Sequence, residues 1–78
     1  MACITPDGKL TERAKQILET LIKEGCKTEE EIASLVNRPL FQVRSSIREM
    51  VEAGVLERKE ERVCITDKGR EVYELGKD

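Results

Sequence analysis

The spacing of apolar residues switches between helical and extended along the chain, and each switch marks an element. Ala14, Ile17, Leu18, Leu21 and Ile22 recur at i, i+3, i+4, i+7 and i+8, which is one face of a helix. Thr11 is placed to cap that helix, Leu10 to staple its entry, and Gly25 to stop it. Thr28-Glu29-Glu30-Glu31 then forms a capping box whose carboxylates also suit the positive end of a helix dipole. Ile32, Ala33 and Val36 make the inner face of this second helix, with Leu35 beside it. Asn37 suits a left-handed turn at its end.

A third helix over 39–53 opens at Pro39, where no intrahelical N–H bond is needed. It turns Leu40, Val43, Ile47, Met50 and Val51 inward. Its opposite face is centred on Phe41, Ser45, Arg48 and Glu52, flanked by Gln42, Arg44 and Glu49. Ala53-Gly54 ends it. Val55 to Arg58 and Arg62 to Thr66 read as two strands, with Lys59-Glu60-Glu61 at the tip. Thr66-Asp67 caps a short last helix carrying Val72, Tyr73 and Leu75, and Gly69 in its first turn permits close packing. Ahead of all this, Ala2 to Thr5 suits a short strand and Pro6-Asp7-Gly8 a turn.

The pattern predicts one mainly α domain over 1–78 with a small antiparallel β hairpin. Its parts are an N-terminal strand and turn (1–10), a three-helix core (11–54), a hairpin (55–66) and a C-terminal helix (66–76). The stretch from Ile32 to Val43 is too short for two helices and a long loop. It fits a tight turn at Asn37-Arg38-Pro39, hence a helix-turn-helix that offers the outer face of its second member to something large.

Composition narrows the chemistry. A chain of 78 residues leaves little room for an enclosed catalytic cavity. One Phe, one Tyr and no Trp leave the core to aliphatic residues. There is no His, no Gly-rich phosphate loop after a strand and no suggested pair of buried carboxylates, so neither an enzyme nor a metal or other cofactor is expected. No basic region followed by an apolar stretch opens the chain, and no apolar run reaches membrane-spanning length, which suits a cytoplasmic protein. Cys3, Cys26 and Cys64 are odd in number and lack CxxC spacing. They are expected to be reduced thiols, some buried as small hydrophobes.

Net charge is -2, which opposes a polyanionic partner, but its distribution is uneven. Residues 1–37 carry 5 basic and 7 acidic side chains, residues 38–62 carry 6 and 5, and residues 63–78 carry 3 and 4. The only positive segment contains the third helix and the hairpin.

Thr28-x-x-Glu31-Ile32-Ala33, then Val43-x3-Ile47-x2-Met50-x3-Gly54-Val55-Leu56, then Ile65-Thr66-Asp67-Lys68-Gly69-Arg70 follow one another at a characteristic spacing. Over roughly residues 11 to 75 the chain resembles the winged-helix (winged helix-turn-helix) DNA-binding family, and is most similar to small prokaryotic MarR-like regulators and their archaeal relatives. The resemblance implies a three-helix core, a wing of two or three strands, and a third helix docked in the major groove of double-stranded DNA. It would make the chain a transcriptional regulator. Gln42, Arg44, Ser45 and Arg48 would then make the central contacts, and Arg58, Lys59 and Arg62 would hold the backbone. Many members pair as homodimers; here pairing would use the first helix, the N-terminal strand or the last helix.

Each residue has a second reading. Arg44 and Arg48 can pair with Glu52 or Glu49 at helical spacing, and Gln42 and Ser45 can be ordinary surface residues. Glu57, Glu60 and Glu61 alternate with the wing cations and leave the tip nearly neutral. Glu31 is used in the capping box, but Glu29 or Glu30 facing phosphate would oppose binding. Leu40 and Phe41 stand where the family is often polar. Phe41 can meet a thymine methyl, anchor a protein interface, or fold back over Leu35. The alternative function is therefore a winged helix that docks a protein partner and has little affinity for DNA.

Overall fold

The computed structural model describes residues 11–76. The expected strand at Ala2 to Thr5 and the Leu10 staple lie outside them. Helix α1 (Glu12–Glu24) is followed by α2 (Glu29–Val36) and α3 (Leu40–Glu52). Strands β1 (Leu56–Lys59) and β2 (Arg62–Ile65) pair antiparallel, Leu56 opposite Ile65 and Lys59 opposite Arg62. Helix α4 (Asp67–Gly76) follows the hairpin.

Local chemistry sets the boundaries. Thr11 Oγ1 accepts from the Ala14 N–H at 3.2 Å, capping α1. The capping box on α2 is complete: Thr28 Oγ1 accepts from the Glu31 N–H at 3.1 Å, and Glu31 Oε1 accepts from the Thr28 N–H at 3.0 Å. Asn37 ends α2 in the left-handed region at φ 55°, which its short polar side chain tolerates. Pro39 precedes α3 as its cap residue and contributes no side-chain bond there.

A single core joins these elements. Ile17, Leu18 and Leu21 of α1, Ile32 of α2, Val43, Ile47 and Met50 of α3, and Val55, Leu56 and Val63 of the hairpin are buried together. Among the described residues, Ser46 of α3 is a fully buried polar residue that hydrophobic patterning passed over.

The hairpin is locked to α4 at one junction. Thr66 Oγ1 donates to the Gly54 carbonyl at 2.7 Å and accepts from the Gly69 N–H at 3.0 Å. Gly69 lies against the chain entering β1: a Cβ there would collide with the Val55 carbonyl oxygen and stand 2.7 Å from Ile65 Cγ1.

The cysteine expectation is corrected. Cys26 and Cys64 form a disulfide with Cα atoms 4.5 Å apart. The cause is a strand-like pairing that the sequence pattern does not announce. Lys27 and Val63 form an antiparallel bridge, through Lys27 N–H to Val63 O at 3.1 Å and Val63 N–H to Lys27 O at 2.7 Å. In an antiparallel pair, the residue before one member faces the residue after the other, which sets Cys26 opposite Cys64. The connector between α1 and α2 thus lies along β2 as a rudimentary third strand.

Two stability measurements test this assembly. Gly69→Ala should lower stability by about 1–3 kcal/mol in urea denaturation, because the clash is with backbone and outweighs Ala's better helix propensity. Opening the disulfide, by reductant or by Cys26→Ser with Cys64→Ser, should cost about 2–4 kcal/mol, given the 38-residue separation it closes.

Candidate nucleic-acid interface

The inner face of α3 is buried, so its outer face is left open. Phe41, Arg44, Ser45 and Arg48 are exposed along it. Phe41 is 73% exposed and Leu35 50%, so the ring does not fold back over Leu35. Gln42 is half-buried, and its side-chain oxygen is covered without a hydrogen-bond partner. Arg58, Lys59 and Arg62 are exposed on the hairpin. The tip turns through Glu60 in the left-handed region at φ 57°.

The N-terminus of α2 brings part of these two sets together. Glu29 Oε1 lies 3.4 Å from Arg44 Nε, and Glu29 Oε2 lies 3.0 Å from Arg58 Nη2. Glu30 Oε2 lies 3.6 Å from Arg44 Nη2. Arg62 Nη1 donates to the Cys26 carbonyl at 3.3 Å, beside the same connector. Arg44 and Arg58, from α3 and β1, therefore converge on one carboxylate. Arg48, Ser45 and Lys59 lie outside that cluster. The alternative reading pairs Arg44 and Arg48 with Glu52 or Glu49 on the same helix; Arg44 forms ion pairs across to Glu29 and Glu30 of α2. Arg38, in the turn, donates through Nε to Gln16 Oε1 at 2.8 Å and ties the turn to α1.

Sequence reasoning flagged Glu29 as a charge opposing phosphate. It did not find its partners, because the pairing depends on how α2, α3 and β1 sit in space. Glu31 is spent differently. The Thr28 backbone N–H donating to it holds its carboxyl below the usual Glu value; desolvation partly offsets this, and the Thr28 hydroxyl, Lys27 and Arg62 add to it. Among the described residues, no group of three His, Cys, Asp or Glu is gathered to hold a metal, and no helix is long and apolar enough to cross a membrane.

Three stacked helices followed by an antiparallel hairpin and a short helix define a winged helix-turn-helix of the MarR-like type. Residues 9–71 match the model of the HVO_A0114 family, and the chain belongs to that family. No curated protein matches it in sequence. Among solved structures it is similar to the transcriptional regulator Tm0710 of Thermotoga maritima, with 28% identity and a TM-score of 0.76 over 82% of this chain and 49% of that one. It is similar also to BpsR of Bordetella bronchiseptica, whose DNA binding is regulated by 6-hydroxynicotinic acid. There the identity is 23% and the TM-score 0.80, over 90% of this chain and 54% of that one. Sco5413, a MarR family transcriptional regulator from Streptomyces coelicolor, gives 24% and 0.75, over 91% and 54%. The chain spans about half the length of each.

The Glu31 carboxylate generates a pH prediction. Its folded pKa lies below its unfolded one, so its contribution is present at neutral pH and fades as pH falls through the folded value. Thermal melts of Glu31→Gln should therefore show a flatter loss of stability on the acid side than the parent chain.

Proposed function

We propose that the chain is a double-stranded DNA-binding transcriptional regulator with α3 as its major-groove helix. The observation that carries this reading is the uncovered outer face of α3, with Arg44, Ser45 and Arg48 exposed and the hairpin cations beside it. Arg44 and Arg48 stand one helical turn apart and suit guanine edges or phosphates. Ser45 between them is small enough to let the helix lie close to the groove. Gln42 suits an adenine edge once its amide turns outward. Arg58, Lys59 and Arg62 suit the DNA backbone. The likeness to Tm0710, a transcriptional regulator, supports the same class. A regulator of this kind in a prokaryote would act in the cytoplasm, and a homodimer on a near-palindromic site fits the two-fold logic of such motifs.

A second reading has an observation of its own. Phe41 and Leu35 are exposed large apolar residues on or beside the helix-turn-helix, and exposed aromatics of this kind anchor protein interfaces. In that reading the same face docks a protein and ignores DNA.

Retention on mixed-sequence duplex DNA separates the two. The parent chain should be retained at low salt and released as salt rises. Arg44→Glu combined with Arg48→Glu should abolish retention while circular dichroism shows the fold intact. A protein-docking module would be indifferent to DNA and to that charge reversal, and would lose its partner on Phe41→Ala.

A further inference from the structure

The Arg44–Glu29–Arg58 cluster has the form of an anion clamp that is already filled. Two guanidinium groups, one from the reading helix and one from the hairpin, approach a single carboxylate, each taking a different oxygen. The Glu29 side chain is only 19% exposed, whereas those of Arg44 and Arg58 are 53% and 46% exposed. The carboxylate is therefore seated between the two elements and the cations remain open on their outer sides. Glu30 takes a second edge of Arg44. A phosphate oxygen approaching from outside would offer these arginines the bonds that Glu29 now supplies.

We infer that Glu29 is a specificity-determining residue: an internal competitor for phosphate that suppresses sequence-independent DNA binding by α3 and the hairpin. The inference rests on the DNA-binding reading above and adds to it how loosely held DNA is rejected. Sequence-independent affinity comes from cations that neutralise phosphates and release counterions. An arginine already neutralised from within its own chain contributes little to that release until its partner is displaced. Pairs whose arginines stay about half exposed to water remain weak enough to be displaced. A well-fitted site, where base contacts hold the helix in register, can displace Glu29, and a passing stretch of backbone competes with it poorly. The acidic net charge of -2 works in the same direction.

The test measures binding of the full chain to mixed-sequence duplex DNA across a salt series, for the parent, Glu29→Gln, and Glu71→Gln as a control with the same charge change on α4. The expected result is that Glu29→Gln binds about three- to tenfold more tightly at low salt. Its plot of log affinity against log salt should steepen by about 1–2, one for each arginine released to phosphate. Glu71→Gln should differ from the parent much less. Thermal melts accompany each variant, since a purely structural role for Glu29 would lower stability and leave the salt slope unchanged. Binding by Glu29→Gln equal to or weaker than the parent, with an unchanged slope, overturns the inference and leaves the DNA-binding reading standing. Failure of parent and variant alike to bind at low salt overturns that reading, and this inference with it.

Discussion

Burial of one side of α3 is the constraint on which the rest depends. Val43, Ile47 and Met50 are wholly excluded from water, sealed by α2 and the hairpin together with the rest of the core. Side chains of this size stabilise by roughly 1.5–3 kcal/mol each when fully buried. Rotating the helix to present another face would forfeit most of that, so the core dictates which residues look outward. Phe41, Ser45 and Arg48 are exposed because their neighbours one or two positions away are not. The surface available to a partner is thus a by-product of packing, and its chemistry is whatever the sequence places at those positions.

That surface is less cationic than its arginines suggest. Three carboxylates at the start of α2 serve two purposes at once. Glu31 is committed to the capping box, where it satisfies a backbone N–H that would otherwise lack a partner. Glu29 and Glu30 also sit well at the helix N-terminus, and the same location sets them against Arg44 and Arg58. A stabilising device for one helix becomes an electrostatic screen for the next. The counterpart is geometric: the pair to Arg58 ties the hairpin to the helix-turn-helix at a point where the backbone makes no ladder.

The parts of this arrangement legible in the sequence are those governed by neighbours along the chain. Thr11, Thr28, Asn37 and Thr66 each act within three or four residues, and each forms the cap its residue type implies. The apolar face of α3 follows from its period alone, apart from Ser46, whose hydroxyl disguises a buried position. Partners distant in sequence were not legible. Arg44 has Leu40, Phe41, Ile47 and Arg48 at helical spacing on its own helix and so no local carboxylate partner; only the assembled fold shows that α2 offers two. The disulfide escaped for the same reason, since an odd number of cysteines with no short spacing carries no pairing information.

The connector between α1 and α2 shows how closely the hairpin is bound to the core. It is held to β2 by two backbone hydrogen bonds between Lys27 and Val63, by the bond from Arg62 to the Cys26 carbonyl, and by the disulfide. In a reducing cytosol such a bridge opens, and the hydrogen bonds alone would then carry the attachment. Val63 is fully buried and belongs to the common core, so the strand remains anchored by its side chain even without the covalent link. The bridge therefore acts chiefly on the unfolded chain, whose freedom it restricts across α2, α3 and β1. The position of β2 in the folded chain is set by Val63 and the backbone pairing.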